Sequence, residues 1–208
     1  MNISLAGRIA AFLLVFAAPS LCAAEKNLLE TVAQQLTASP VIRGEFQQTR
    51  HLVQIKKPLL SHGRFLVARD HGVIWETARP FTQVTRLTRG EILQTDDHGK
   101  TLMKLDTKQE PVVGIVNGIL FSVLSGDVAA LAQIFNYSGA AEADEPWRLD
   151  FTPKDKNLAR LIKALRLTGG RDITLVEMEN AAGDVTRIEF RGQTYARELA
   201  EDEQKRFE

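Results

Sequence analysis

The sequence predicts a mainly β protein with helices, an α+β fold built on a curved, unclosed antiparallel β-barrel of about 11 strands. Three observations carry this. Runs rich in Val, Ile, Thr and Phe recur throughout the chain, separated by tight turn signals such as Asp70-His71-Gly72, Arg89-Gly90, Asp97-His98-Gly99 and Ala182-Gly183-Asp184. Connections this short imply antiparallel neighbours. One oily segment, Val112–Leu124, interrupts the strands and is too long and too uniformly apolar to be another strand. A sheet of that many strands must curl or close, which leaves an inner face for helices to cover.

The elements follow in order. Arg8, a short apolar run from Ile9 and the small residues up to Ala24 have the form of a secretory signal peptide over 1–24. Cys22 follows bulky Leu21, which argues against a lipid-modified cysteine. Cleavage after Ala24 leaves a single domain over 25–208 with 25 basic and 26 acidic residues, a net charge of −1, and no cysteine. That chain must hold its fold by core packing alone. Asn27 to Ser39 reads as an amphipathic helix, with Leu29, Val32, Ala33 and Leu36 on one face and Pro40 as its stop. Strands are expected over 41–50, 58–69, 73–78, 82–88, 91–95 and 101–106. Pro111 opens the oily helix, which Ser125-Gly126 can end, and Asp127 can cap a second helix running to Phe135. Strands resume over 136–141, 147–152, 161–169, 172–179 and 184–194. The tail Arg197 to Glu208 reads as a charged helix with Glu201–Lys205 and Asp202–Arg206 at i,i+4 spacing.

Composition excludes several functions. Lys+Arg and Asp+Glu number 26 each, so no basic field exists to hold nucleic acid or to steer the chain over distance to an anionic membrane. A hydrophobic fraction of 44% and a charged fraction of 25% exclude disorder. No metal site is expected, because His51, His62, His71 and His98 form no pair at ligand spacing. Asp96-Asp97-His98-Gly99 reads as a hairpin loop. No Gly-x-Ser-x-Gly elbow occurs, and Gly114, Gly118 and Gly126 are too widely spaced for a phosphate loop. The chain is expected to be no enzyme and to need no cofactor.

The candidate site is therefore a greasy interior. Leu59, Gly63, Phe65 and Val67 share one strand face that ends at Arg69, Trp75 shares a face with Val73, and Phe46 alternates with charged neighbours. The insertion supplies Ile115, Ile119, Leu120, Phe121 and Leu124 as a cover. A helix apolar almost all round must be buried on most sides or meet an apolar ligand. Gly114, Asn117 and Gly118 weaken it and give it freedom to move. The expected ligand-binding residues are thus Phe46, Phe65, Val67, Trp75, Ile115, Ile119, Leu120, Phe121 and Leu124.

These features resemble the periplasmic outer-membrane lipoprotein carriers, the LolA-like family. Gly44-Glu-Phe46-Gln-Gln48-Thr49 is similar to the family's first strand, and Gly63-Arg-Phe65 with Val67-Ala-Arg69 to its second. Trp75 and Pro80 match a Trp-x4-Pro spacing. Asp70, Arg89 and Ile92-Leu93-Gln94 depart from the family pattern. The resemblance implies a monomeric periplasmic carrier for acylated lipoprotein or a related lipid. It implies an inner-membrane release transporter and an outer-membrane acceptor as partners. It also implies that Arg69 latches the helical lid through that lid's carbonyl groups. The alternative is a periplasmic sensor of the same fold that detects stray lipoprotein. A lipid hydrolase is a third reading, without a visible nucleophile–base pair.

Overall fold

A computed structural model describes residues 21–106, 108–109, 111–142 and 144–207. The leader expected over 1–24 lies outside the described residues up to position 20. Its last four residues begin helix α1 (Leu21–Gln35). Eleven strands follow: β1 (Val41–His51), β2 (Leu59–Ala68), β3 (Gly72–Arg79), β4 (Gln83–Leu87), β5 (Glu91–Asp96), β6 (Thr101–Asp106), β7 (Phe135–Ala140), β8 (Trp147–Pro153), β9 (Ile162–Gly169), β10 (Ile173–Asn180) and β11 (Val185–Ala196). Helices α2 (Pro111–Ser125) and α3 (Val128–Ile134) stand between β6 and β7. Short α4 (Lys156–Ala159) precedes β9, and α5 (Glu201–Gln204) with a final 3-10 turn ends the chain.

The sheet order is β6-β5-β4-β3-β2-β1-β11-β10-β9-β8-β7, antiparallel throughout. It is one curved, unclosed sheet with β6 and β7 at its two edges. The first and last strands pair at its middle, Phe46 opposite Phe190. Each connection within the two meanders is short, so the strand count and antiparallel order follow from the turn residues alone. The Asp96 carboxylate accepts from the backbone N–H groups of His98 and Lys100, which makes 97–100 the expected hairpin loop.

Three elements differ most from expectation. Helix α1 stops at Gln35 rather than Ser39. The N–H of Thr37 instead donates to the Arg171 carbonyl at 2.8 Å, and the Ser39 hydroxyl donates to the carbonyls of Val41 and Ala196. Sheet partners thus take the backbone before Pro40 can end the helix. The terminal helix is also shorter than expected. Arg206 pairs with Glu76 on β3 rather than with Asp202, and Arg43 forms a bidentate pair with Glu203. Finally, α4 was not expected; Asp155 caps it by accepting from the N–H groups of Asn157 and Leu158.

The concave face carries the main core. On its β7–β10 side Phe135, Trp147, Leu149, Phe151 and Leu167 are fully buried beneath α3, whose Leu131 is buried with them. Asp127 caps α3 as expected, accepting from the Ala130 N–H at 3.0 Å. The convex face has a smaller core, in which Val41, Leu66 and Ile74 pack under Leu199 and Phe207 of the tail. Elsewhere that face is charged. Asp150, Arg166, Glu177 and Arg187 stand opposite one another across β8, β9, β10 and β11 and form a ladder of ion pairs. Opposite charges are matched there in cross-strand pairs rather than gathered into a field of one sign.

Candidate functional site: an apolar cavity under a tied helix

Helix α2 lies at the end of the half-barrel where β2 turns into β3 and β4 into β5. Two polar ties hold it there. Arg69, just past β2, donates from Nη2 to the carbonyl oxygen of Ser125 at 3.1 Å. A cation at the last carbonyl groups of a helix also faces the negative end of its dipole. Asn117, buried at 7% exposure, donates from Nδ2 to the Thr88 carbonyl in the β4–β5 turn at 2.5 Å. Gly126 then ends the helix at φ +72°, in the left-handed region that favours glycine.

Between α2 and the sheet lies a cavity of about 340 Å³. Its cover is Ile119, Leu120, Val123 and Leu124 of α2. One wall is Trp75, Thr85, Leu87, Ile92 and Met103 from β3 to β6, and the other is Leu165, Val176, Met178, Ile188 and Phe190 from β9 to β11. The volume falls at the low end of the range for small-molecule sites, ~300–1,000 Å³.

Of the residues expected to bind, Trp75, Ile119, Leu120 and Leu124 line this cavity together. Phe46, Phe65 and Val67 lie in the core behind it, buried at 3%, 5% and 0% exposure. Phe46 stacks on Trp75 with ring centroids 3.8 Å apart, so it shapes the wall by holding the indole. Gly63 makes this stack possible. A Cβ there would lie 1.7 Å from the Glu76 carbonyl oxygen and 3.0 Å from the Phe46 ring. Phe121 is partly buried against the same core. Ile115 stands outside the cavity at 46% exposure, one helical turn before Ile119.

Sequence reasoning missed Asn117 as a tie and treated it only as a weak point of the helix. It also missed the second wall. Val176 with Met178, and Ile188 with Phe190, alternate at period 2, which marks an inward face. Their place opposite Trp75 depends on the β1–β11 pairing, which joins the two ends of the chain.

Ionisable groups sit away from the cavity. Glu203 is held below the ordinary carboxylate range, first by its hydrogen bond to Arg43. Glu91, at the start of β5, is lowered by hydrogen bonds from Lys104 and then Arg86. Asp172, in the β9–β10 turn, is raised by burial. Among the described residues no group of three His, Cys, Asp or Glu stands close enough to hold a metal ion. No helix among them is long and apolar enough to cross a membrane.

A helix tied across a half-barrel, over an apolar cavity, is the arrangement of a carrier-type fold. The sequence matches the family described as outer membrane lipoprotein carrier protein, LolA-like, over residues 22–205, and the chain belongs to that family. A search of curated protein sequences finds no match. Similar solved structures include a LolA superfamily protein from Nitrosomonas europaea, at 13% identity and TM-score 0.47 over 85% of this chain and 95% of that one. A second is an outer membrane lipoprotein-sorting protein domain from Vibrio parahaemolyticus, at 7% identity and TM-score 0.45, over 88% and 98%. A third is MucB, at 18% identity and TM-score 0.42, over 86% of this chain and 62% of that one.

Proposed function

We propose that this chain is a non-catalytic periplasmic carrier. It shields the acyl chains of lipoprotein, or of a related lipid, in the cavity under α2 and shuttles them from the inner to the outer membrane. The observation that carries the reading is the apolar cavity itself, covered by a helix with two polar ties. Each acyl CH₂ left in water costs ~0.8 kcal/mol, so a long chain does not cross an aqueous compartment unshielded. Among the described residues the ties are few, and Ile119, Leu120, Val123 and Leu124 of α2 face the cavity with apolar side chains. Cargo offers the helix and the walls the same kind of contact, so lid closure and cargo compete for one surface. That competition permits release as well as uptake. Arg69 acts as the latch at the C-terminal end of the lid. Loading then requires a release transporter at the inner membrane, and delivery an acceptor at the outer one. The leader over 1–24 directs export, and cleavage after Ala24 shortens α1 at its start without touching the cavity walls.

Native mass spectrometry of the exported protein tests this. A co-purified acylated species is the expected result. A stoichiometric complex with a membrane-anchored regulator and no acyl species overturns carriage in favour of sensing, and turnover of an ester probe overturns it in favour of hydrolysis.

A further inference from the structure

The concave face changes character along the strands. Toward α2 the inward positions are Val67, Val73, Leu87 and Ile92, all buried. Toward the other end the same face carries Gln48, Ser61, Thr77, Gln83, Thr85 and Gln94. These residues line a second recess of about 710 Å³ that opens to solvent. Gln48, Trp75 and Thr85 border both spaces, so the recess continues directly from the apolar cavity. Arg50, two residues beyond Gln48 on the inward face of β1, also lines the recess. Among the described lining residues it is the only charged one. Outside this belt the rim turns apolar again at Leu59 and Phe81.

We propose that the recess is a headgroup site, and that the ligand is a single-chain amphiphile with an anionic head, a carboxylate or a phosphate. This rests on the carrier reading and names the class of cargo. Hydrocarbon laid along the belt would strip its amides and hydroxyls of water and return no hydrogen bond. A head rich in acceptor oxygens satisfies those donors, since glutamine amides and Ser/Thr hydroxyls all have N–H or O–H to give. Arg50 sets the sign, because a guanidinium matches carboxylate and phosphate alike. Asp184 lies within electrostatic reach of Arg50. Its carboxylate accepts from the Val53 N–H at 2.9 Å and from the Asn180 amide at 3.0 Å rather than from Arg50. The inner cavity is sized for one chain, and the belt begins where that cavity ends, at Trp75.

The test is calorimetric titration of the protein with dodecanoate, dodecyl phosphate and dodecyltrimethylammonium, each below its micelle concentration. The two anions are expected to bind at least about tenfold more tightly than the cation. The tighter anion identifies the headgroup chemistry. Arg50→Gln, at an exposed strand end, is expected to keep the melting temperature and bring the three affinities together. Equal affinities in the unaltered protein, or an Arg50→Gln variant that keeps the preference, overturn the headgroup site and leave the carrier reading standing. No binding of any of the three overturns the carrier reading, and the headgroup site with it.

Discussion

The two ties on α2 set how easily the lid opens, and their removal should be measurable as affinity. In Arg69→Leu the Ser125 carbonyl loses its cationic donor. A hydrogen bond from a charged donor contributes ~1.5–3 kcal/mol when buried, and solvent screening at this exposed position reduces it to about 1 kcal/mol. The lost helix-dipole contact adds ~0.3–1 kcal/mol. The total is about 1.5 kcal/mol, close to tenfold in the ratio of open to closed lid. In Asn117→Ala the half-buried Thr88 carbonyl loses its partner, while alanine gains helix propensity. The net loss is about 1 kcal/mol, near fivefold. The two points of contact on α2, Asn117 and Ser125, are separated by ~12 Å at 1.5 Å per residue. Sites that far apart act almost independently, so the double variant should multiply the effects to roughly fiftyfold. Ligand binds the open state, so apparent affinity rises with the open fraction. Titration with a fluorescent fatty acid should therefore show tighter loading in the order wild type, Asn117→Ala, Arg69→Leu, double variant. Transfer to acceptor vesicles should slow in the same order. Unchanged affinity in the double variant, with the fold intact by circular dichroism, would refute the idea that these bonds hold the lid against cargo.

Other outcomes can be stated more briefly. Trp75 lines the cavity whereas Trp147 is buried apart from it, so fatty-acid binding should alter tryptophan emission and Trp75→Phe should abolish the change. Trp147→Ala should destabilise the fold by ~3–5 kcal/mol in chemical denaturation, because it empties a fully buried site. It also removes the Nε1–H donor that meets the Gly170 carbonyl at 2.8 Å. The folded-state pKa of Glu203 is depressed, so its contribution to holding the tail is complete above the ordinary carboxylate range, ~4.3, and is lost as pH falls through the folded value. Protection factors over 199–207, corrected for the intrinsic exchange rate, should fall in acid, and Glu203→Gln should lower them at neutral pH and leave them nearly independent of pH.

The fold was legible because its information is local. Turn residues such as Asp70-His71-Gly72 and Asp97-His98-Gly99 punctuate the chain at every reversal, and adjacent strands pair across them. Where partners are remote, the reading failed. The end of α1 is decided by the Arg171 carbonyl, far along the chain, which no helix signal at Thr37 announces. The expected Glu201–Lys205 pair forms, but the rest of the tail is decided by the sheet, where Glu76 takes Arg206 from Asp202 and Arg43 holds Glu203. The site divides the same way. The lid residues Ile119, Leu120 and Leu124 stand out in an oily run, and Arg69 stands at the end of an apolar strand face. Leu165, Val176 and Phe190 look like ordinary core residues until β1 and β11 are paired. Phe46 and Trp75 were grouped correctly as inward-facing, but only the stack shows that one touches the cavity and the other supports it.

The strand order has a mechanical consequence. The chain begins and ends its sheet at the centre, and it passes between the two outer edges, β6 and β7, by way of α2 and α3. The helices therefore act as the string of a bow whose limbs are the two meanders. Widening the cavity spreads the limbs and tightens the string, and slackening the string lets the limbs relax outward. Sheet curvature and lid position are then one coordinate. Both polar ties fasten α2 to the β1–β6 limb, so a guest that spreads the limbs draws the β7–β11 limb away from the lid.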